Sequence, residues 1–132
     1  MEVKIEKQSD GSYIAYNPDS EEYGVIGTGE TVSAAKEDFL NSIEEIKEAM
    51  KENNEEIPAG LLEDPVFYFD ISSLFEYFNM INVGAFARHI GINDSLMRQY
   101  KRGDTYISET QLGKIENGIH QIGKELAELK LM

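Results

Sequence analysis

Val83-Gly-Ala-Phe-Ala-Arg-His-Ile-Gly-Ile-Asn-Asp-Ser-Leu-Met-Arg-Gln-Tyr-Lys-Arg-Gly103 sets Ala87 four residues before Gly91, with apolar positions at Phe86, Ile90, Ile92, Met97 and Tyr100. That spacing predicts two short helices joined by a three-residue turn, a helix-turn-helix. Ala87 is small where the second helix crosses the first, and Gly91 can take the left-handed backbone angle the turn needs. Asn93 or Asp94 then caps the second helix, whose Met97 and Tyr100 point back at Phe86 and Ile90. Ser95, Arg98, Gln99 and Arg102 remain outside, at offsets of three, four and seven. Side chains on such a stripe reach base edges and phosphates in a DNA major groove, so the segment is expected to bind DNA.

Roles within the stripe follow from side-chain geometry. Arg98 and Gln99 are the expected base readers, because Arg matches guanine and Gln matches adenine in bidentate fashion. Lys101 and Arg102 are assigned to phosphate; as two cations in the last turn before Gly103 they also suit the helix dipole and C-cap. Asn82 caps the first helix and leaves its N–H groups aimed at a phosphate. Asn93, Asp94 and Ser95 complete the candidate DNA-contacting set. His89, mid-helix beside the core, reads as structural.

Net charge at first argues against this reading, being −13 over 132 residues. Its distribution resolves the conflict. Residues 1–65 carry 5 lysines against 17 carboxylates, a balance of −12, while residues 66–132 carry 7 basic and 8 acidic groups. Within 81–102, Arg88, Arg98, Lys101 and Arg102 face Asp94 alone, a local +3. The split suggests an acidic module for a basic partner and a near-neutral module for nucleic acid; simple solubility is the alternative account of the acidic surface.

The N-terminal half alternates and then turns helical. Residues 2–8 read as a half-buried strand with Val3 and Ile5 on one face, and Ser9-Asp10-Gly11 as a hairpin turn. Tyr13 to Asn17 pairs back until Pro18, which cannot donate to a ladder. A polar loop through Glu21 and Glu22 leads to a short strand around Val25 and Ile26, and Gly27-Thr28-Gly29 is expected to turn the chain out of it. Thr31 opens a helix from Val32 to Lys51, its apolar set Val32, Ala35, Phe39, Ile43, Ile46 and Met50 stepping by threes and fours. Its outer face, Glu37, Asp38, Glu44, Glu45, Glu48 and Glu52, is either solvated or a docking face.

Residues 53–65 read as a linker, and Val66-Phe-Tyr-Phe-Asp-Ile71 as a strand returning to the hairpin sheet. The expected architecture is α+β: a βββαβ domain over 1–71, then an all-α domain over 72–132. Ser73-x-x-Glu76 predicts a capping box for a short helix ending near Met80. Ser108-x-x-Gln111 predicts another, opening a final helix with Leu112, Ile115, Ile119, Ile122, Leu126 and Leu129 in its apolar stripe. That helix is interrupted by Gly113, Gly118 and Gly123, which fit close packing against neighbours; its stripe serves either the core or, through Ile122 to Leu129, a dimer.

Several function classes find little support. Without cysteine there are no disulfides, thiol nucleophiles or thiolate metal sites, and His89 and His120 alone make a poor zinc site. No metal and no cofactor are expected. Gly24-x-x-Gly27-x-Gly29 lacks the lysine-serine pair of a phosphate loop. Glu2 and Glu6 share a strand face, as surface alternation requires, and no nucleophile–base pair is present, so no catalysis is expected. No run approaches 18 apolar residues and no signal pattern opens the chain, which predicts a cytoplasmic protein without a membrane partner.

The order of these elements resembles a HicB-type antitoxin over nearly the full chain. The resemblance rests on Asp10-Gly-Ser-Tyr13, Asn17-Pro18, Gly27-Thr-Gly29, and Thr31 and Ala35 leading into an acidic helix. Strand 66–71 followed by a Cro/repressor-like helix-turn-helix matches the longer members. One departure is loop 19–23, Asp-Ser-Glu-Glu-Tyr, in place of a Leu-Pro-Gly-like segment. The resemblance implies a partial ribonuclease-H-like N-terminal domain without catalysis and binding to a small basic RNA-cleaving toxin of the HicA type. It also implies a homo-oligomer, dimer or higher, that represses its own promoter through operator DNA. The alternative is a stand-alone transcriptional regulator whose N-terminal domain dimerises or senses a ligand; an RNase-H-like nuclease stands further off.

Overall fold

A computed structural model describes residues 1–18 and 23–132, so the polar loop expected through Glu21 and Glu22, and most of the 19–23 departure, lie outside the described residues. The chain is mixed α+β and divides into two compact units, Met1–Asn79 and Met80–Met132. The first unit holds β1 (Glu2–Lys7), β2 (Tyr13–Tyr16), β3 (Ile26–Gly29), α1 (Val32–Glu52), α2 (Ala59–Leu62), β4 (Val66–Phe69) and α3 (Ile71–Tyr77). The second holds α4 (Val83–Ile90), α5 (Asp94–Arg102) and α6 (Glu109–Glu128).

The four strands form one sheet in the order β3-β2-β1-β4, antiparallel except for β1 and β4, which run parallel. The β1–β2 hairpin closes where expected. Gly11 sits at φ +88°, and the Asp10 carboxylate accepts hydrogen bonds from the Ser12 N–H and hydroxyl at 2.9 and 2.6 Å. Those bonds hold the Asp10 carboxyl below its ordinary range.

One face of the sheet carries Val3, Ile5, Tyr13 and Ala15, all buried against Val32, Ala35, Phe39 and Ile43 of α1. Burying a side chain such as Phe39 or Ile5 contributes about 1.5–3 kcal/mol each. Thr31 caps α1 by accepting from the Ala34 N–H. Ile46 and Met50 of the predicted stripe are only partly buried, because they lie toward the end of α1 beyond the main cluster.

Four expectations for this unit change in three dimensions. Gly27 and Gly29 lie within β3 and do not turn the chain out of it. A Cβ on Gly27 would stand 2.2 Å from the Phe39 nitrogen and 2.5 Å from the Ala35 oxygen, so glycine lets a strand backbone touch a helix backbone. The 53–65 segment is more than a linker: α2 lies inside it, and Leu61 is buried to 1% exposure in the core.

The expected Ser73–Glu76 capping box does not form. Asp70 is the N-cap of α3, its Oδ1 accepting from the Ser73 N–H at 2.8 Å while Oδ2 accepts from the Lys7 N–H at 3.0 Å. A carboxylate at the end of β4 thus satisfies a helix start and a strand end together. Glu76 instead reaches the opposite helix, accepting from the Val32 N–H at 2.8 Å and satisfying an orphan donor of α1.

Finally, α3 belongs with the sheet, so the division falls after Asn79 and not at 71/72. Phe75 is buried and the Tyr77 ring stacks on Phe69 at 5.8 Å. Lys36 of α1 lies 4.5 Å from the centroids of both Phe67 and Tyr77.

Candidate nucleic-acid interface

In the second unit, α4 and α5 are built by local rules. Asn82 caps α4 by accepting from the Ala85 N–H at 2.9 Å. Gly91 ends it at φ +77°, with its N–H bonded to the Arg88 carbonyl and the Ile92 N–H to the Ala87 carbonyl. This is a Schellman termination, which needs a left-handed residue that glycine supplies without a Cβ penalty.

Asn93, not Asp94, caps α5, its side-chain oxygen accepting from the Ser95 and Leu96 N–H groups at 2.9 and 3.3 Å. Gly103 repeats the left-handed ending at φ +79°. Phe86, Ala87, Ile92, Met97, Tyr100 and Ile115 are buried, which fixes the two helices and their turn as one body with α6. Lys114 of α6 also donates to the Gly91 carbonyl at 3.2 Å, bracing the turn.

Outward from that core stand Ser95, Arg98, Lys101 and Arg102, all exposed on α5. Gln99 is half-buried, and its side-chain oxygen accepts from the Thr105 hydroxyl at 3.0 Å, which orients the amide. Arg102 pairs with Asp104 at 2.7 Å, and Arg88 pairs with Asp94. Asp94 is already subtracted in the local +3, so Asp104, just past the counted segment, is the carboxylate that offsets one further unit of it. Among the described residues Arg98 forms no hydrogen bond or ion pair, and it is the cation of the stripe most available to a ligand.

Two contributions escaped sequence reading. Thr105 and Asp104 lie past Gly103, outside the helical stripe, and reach back to Gln99 and Arg102 only because the chain reverses at a left-handed glycine. Arg88 counted as patch charge, yet its partner is six residues away across the turn.

The final helix shows a mixed outcome. Ser108 caps α6 at the Gln111 N–H, as the box predicts. Of its apolar stripe only Ile115 is buried, while Leu112, Leu126 and Leu129 are 40%, 63% and 63% exposed. Close packing explains Gly118, where a Cβ would lie 2.4 Å from Ile90 Cγ2, but not Gly113 or Gly123, which face open space.

The first unit offers a different surface. The sheet face turned away from α1 places Ile26, Tyr16, Lys4 and Tyr68 side by side across all four strands. Ile26 and Tyr68 are more than half exposed there. A hollow of about 690 Å³ opens on it between Glu6, Lys7, Ile14, Tyr16, Asn17 and Ile26. Among the described residues, no three His, Asp or Glu side chains gather as a metal site would require, and no helix is long and apolar enough to cross a membrane. Comparison of the chain with family models, with curated proteins and with solved structures finds no match.

Proposed function

We propose that this chain is a non-enzymatic antitoxin and autorepressor: the second unit binds operator DNA as a helix-turn-helix, and the first neutralises a small basic HicA-like toxin. The observation that carries the DNA half is the exposed Ser95/Arg98 face of α5, held by a Gly91 turn and a buried core. A helical hairpin that served packing alone would have no use for an unpaired arginine on that face. The toxin half is supported by charge. Residues 1–65 carry −12, a field that attracts and selects a cationic RNA-binding protein, with apolar contacts supplying much of the affinity.

Repression needs at least a dimer. One module presents few unpaired cations, and the chain's charge of −13 repels phosphate. Two recognition helices about 34 Å apart, one turn of B-DNA, raise the effective concentration of the second contact without new charge. The stripe from half-buried Ile122 through exposed Leu126 to exposed Leu129, along the end of α6 and its C-cap, is one surface available for that association.

The test uses the full chain. Co-expression with the small reading frame beside its gene, followed by pull-down, should recover a basic partner. A gel-shift with the promoter should show one dimer bound. Arg98→Ala should relax sequence preference, costing on the order of 1–3 kcal/mol at one base pair. Operator shifts with unchanged specificity in that variant would show that α5 is not the reading helix. Absence of a basic neighbour, with DNA binding intact, would favour the stand-alone regulator.

A further inference from the structure

Three charged groups from two helices meet above the Cα of Gly84. A methyl group built there would lie 3.4 Å from Arg98 Nη2 and 3.5 Å from both Arg88 Nη1 and Asp94 Oδ2. Arg88 comes from the last turn of α4, Asp94 from the first turn of α5, and Arg98 from one turn further along α5. Arg88 donates to Asp94 Oδ2, whereas Arg98 has no such partner among the described residues. The pair is open to water, with the Arg88 side chain 64% and the Asp94 side chain 28% exposed.

A carboxylate gathered with two guanidinium groups on the surface proposed to face DNA is costly for DNA binding unless it does something there. While the Arg88 Nη1–Asp94 bond lasts the pair is net neutral, so the remaining Arg88 N–H groups draw a phosphate only weakly; the full attraction requires giving up that charge-assisted hydrogen bond, and Asp94, left alone, is then repelled by the same phosphates. On duplex DNA of arbitrary sequence nothing offsets that loss. In the major groove, however, a carboxylate at the start of a recognition helix can accept from the cytosine N4 amino group, whereas the adenine N6 amino group stands beside the N7 acceptor, which repels a carboxylate.

We propose that Asp94 couples base identity to phosphate affinity. It retains Arg88 in the free protein and on non-matching DNA, and releases Arg88 to the backbone only where a cytosine amino group takes the guanidinium's place. The assignment rests on the DNA-binding reading above and adds to it. Asp94 acts as a specificity-setting residue and Arg88 as a conditional phosphate contact, while Arg98, paired with no carboxylate among the described residues, keeps the base-reading role proposed above. The competing explanation is that the pair merely fastens α4 to α5.

The experiment uses full-length protein, wild type and Asp94→Asn, each alone and in an Arg88→Met background. Sequences are first selected from a pool of randomised duplexes. Binding to a selected and to a scrambled duplex is then followed by fluorescence anisotropy between 50 and 200 mM KCl. Asp94→Asn is expected to tighten binding to the scrambled duplex and to steepen its log K against log[KCl] slope by about 0.9, one added phosphate contact and about a threefold change across that range. It should also erase a cytosine preference at one position of the selected sequences. In the Arg88→Met background the same substitution should leave the slope unchanged.

An unaltered slope and unaltered cytosine preference in Asp94→Asn would overturn the proposal. So would an equal change of slope in both backgrounds, which means simple removal of a negative charge. Lost affinity for both duplexes with a lowered melting temperature would identify the pair as a structural fastening and also overturn it. Failure of the wild-type protein to bind any duplex at 50 mM KCl is a separate result, which removes the DNA-binding reading itself and this assignment with it.

Discussion

Replacing Gly27 by Ala adds one methyl group where β3 crosses α1. Its carbon would lie 2.2 Å from the Phe39 nitrogen, 2.5 Å from the Ala35 oxygen and 2.6 Å from Phe39 Cα. All three are backbone atoms of a helix, so no rotamer change relieves the overlap. Restoring ordinary contact near 3.5 Å requires strand and helix to separate by about 1 Å, and a gap of that size forfeits a quarter to a half of each dispersion well along the interface.

Val25, Ala35 and Phe39, all at or below 1% exposure, would lose packing together. Overpacking costs about 1–3 kcal/mol where side chains can yield, so an overlap with rigid backbone belongs at or above the upper end. The narrower unfolded ensemble of Ala returns at most about 1 kcal/mol. The net loss expected is about 2–3 kcal/mol, which at a urea m-value of roughly 1–2 kcal/mol/M lowers the midpoint by about 1–3 M. Gly29→Ala should be milder, because the atom nearest its Cβ is the Ala34 Cβ at 2.5 Å and the backbone atoms begin at 2.8 Å. Urea unfolding of the two variants, followed by circular dichroism, measures both. A Gly27→Ala midpoint within about 0.3 M of wild type would refute the close-approach account, given the m-value range used here.

Within α6 the same substitution should change sign with position. Gly113→Ala, which faces open space, is expected to raise stability by about 0.5–1 kcal/mol, whereas Gly118→Ala, meeting Ile90 Cγ2 at 2.4 Å, should lower it; thermal melts compare them. The Ser73 hydroxyl is fully buried with no partner among the described residues, so Ser73→Ala should leave stability unchanged or raise it by up to about 1 kcal/mol, and a clear loss in denaturant titration would reveal a bond to that hydroxyl. The Tyr16 phenol is raised above its ordinary value of 10.0 by its hydrogen bond to Glu6, and Tyr13 by burial and then by the Glu76 and Asp70 charges. Because the fold favours the neutral phenols, their contribution is complete below pH 10 and is lost as pH rises through the raised values. Unfolding midpoints at pH 8 and pH 11 should show that loss, and Tyr16→Phe should reduce it.

What sequence alone determined here is what neighbouring residues enforce on one another. The Gly11 hairpin, the caps at Thr31, Asn82 and Ser108, the 3.6-residue stripe that buries Val32 through Ile43, and the Gly91 reversal all involve partners within a few positions. Side-chain identity therefore states the geometry directly. The outward face of α5 was legible for the same reason, since burying Met97 and Tyr100 leaves Ser95, Arg98 and Lys101 no direction but out.

Tertiary structure decided which of several chemically able partners each group meets. Ser73 and Glu76 have the spacing of a capping box. Asp70 sits where β4 ends and takes the cap first, which frees Glu76 for the start of α1 forty-four residues earlier. Gly27 and Gly29 read locally as turn residues, and only the approach of the α1 backbone shows why no side chain fits. Arg88 and Asp94 were a patch cation and a helix-start acid until the turn folded them together. A local pattern lists the hydrogen bonds and ion pairs a residue can make, but the choice among them depends on distances between segments far apart in the chain, which exist only once the core has formed.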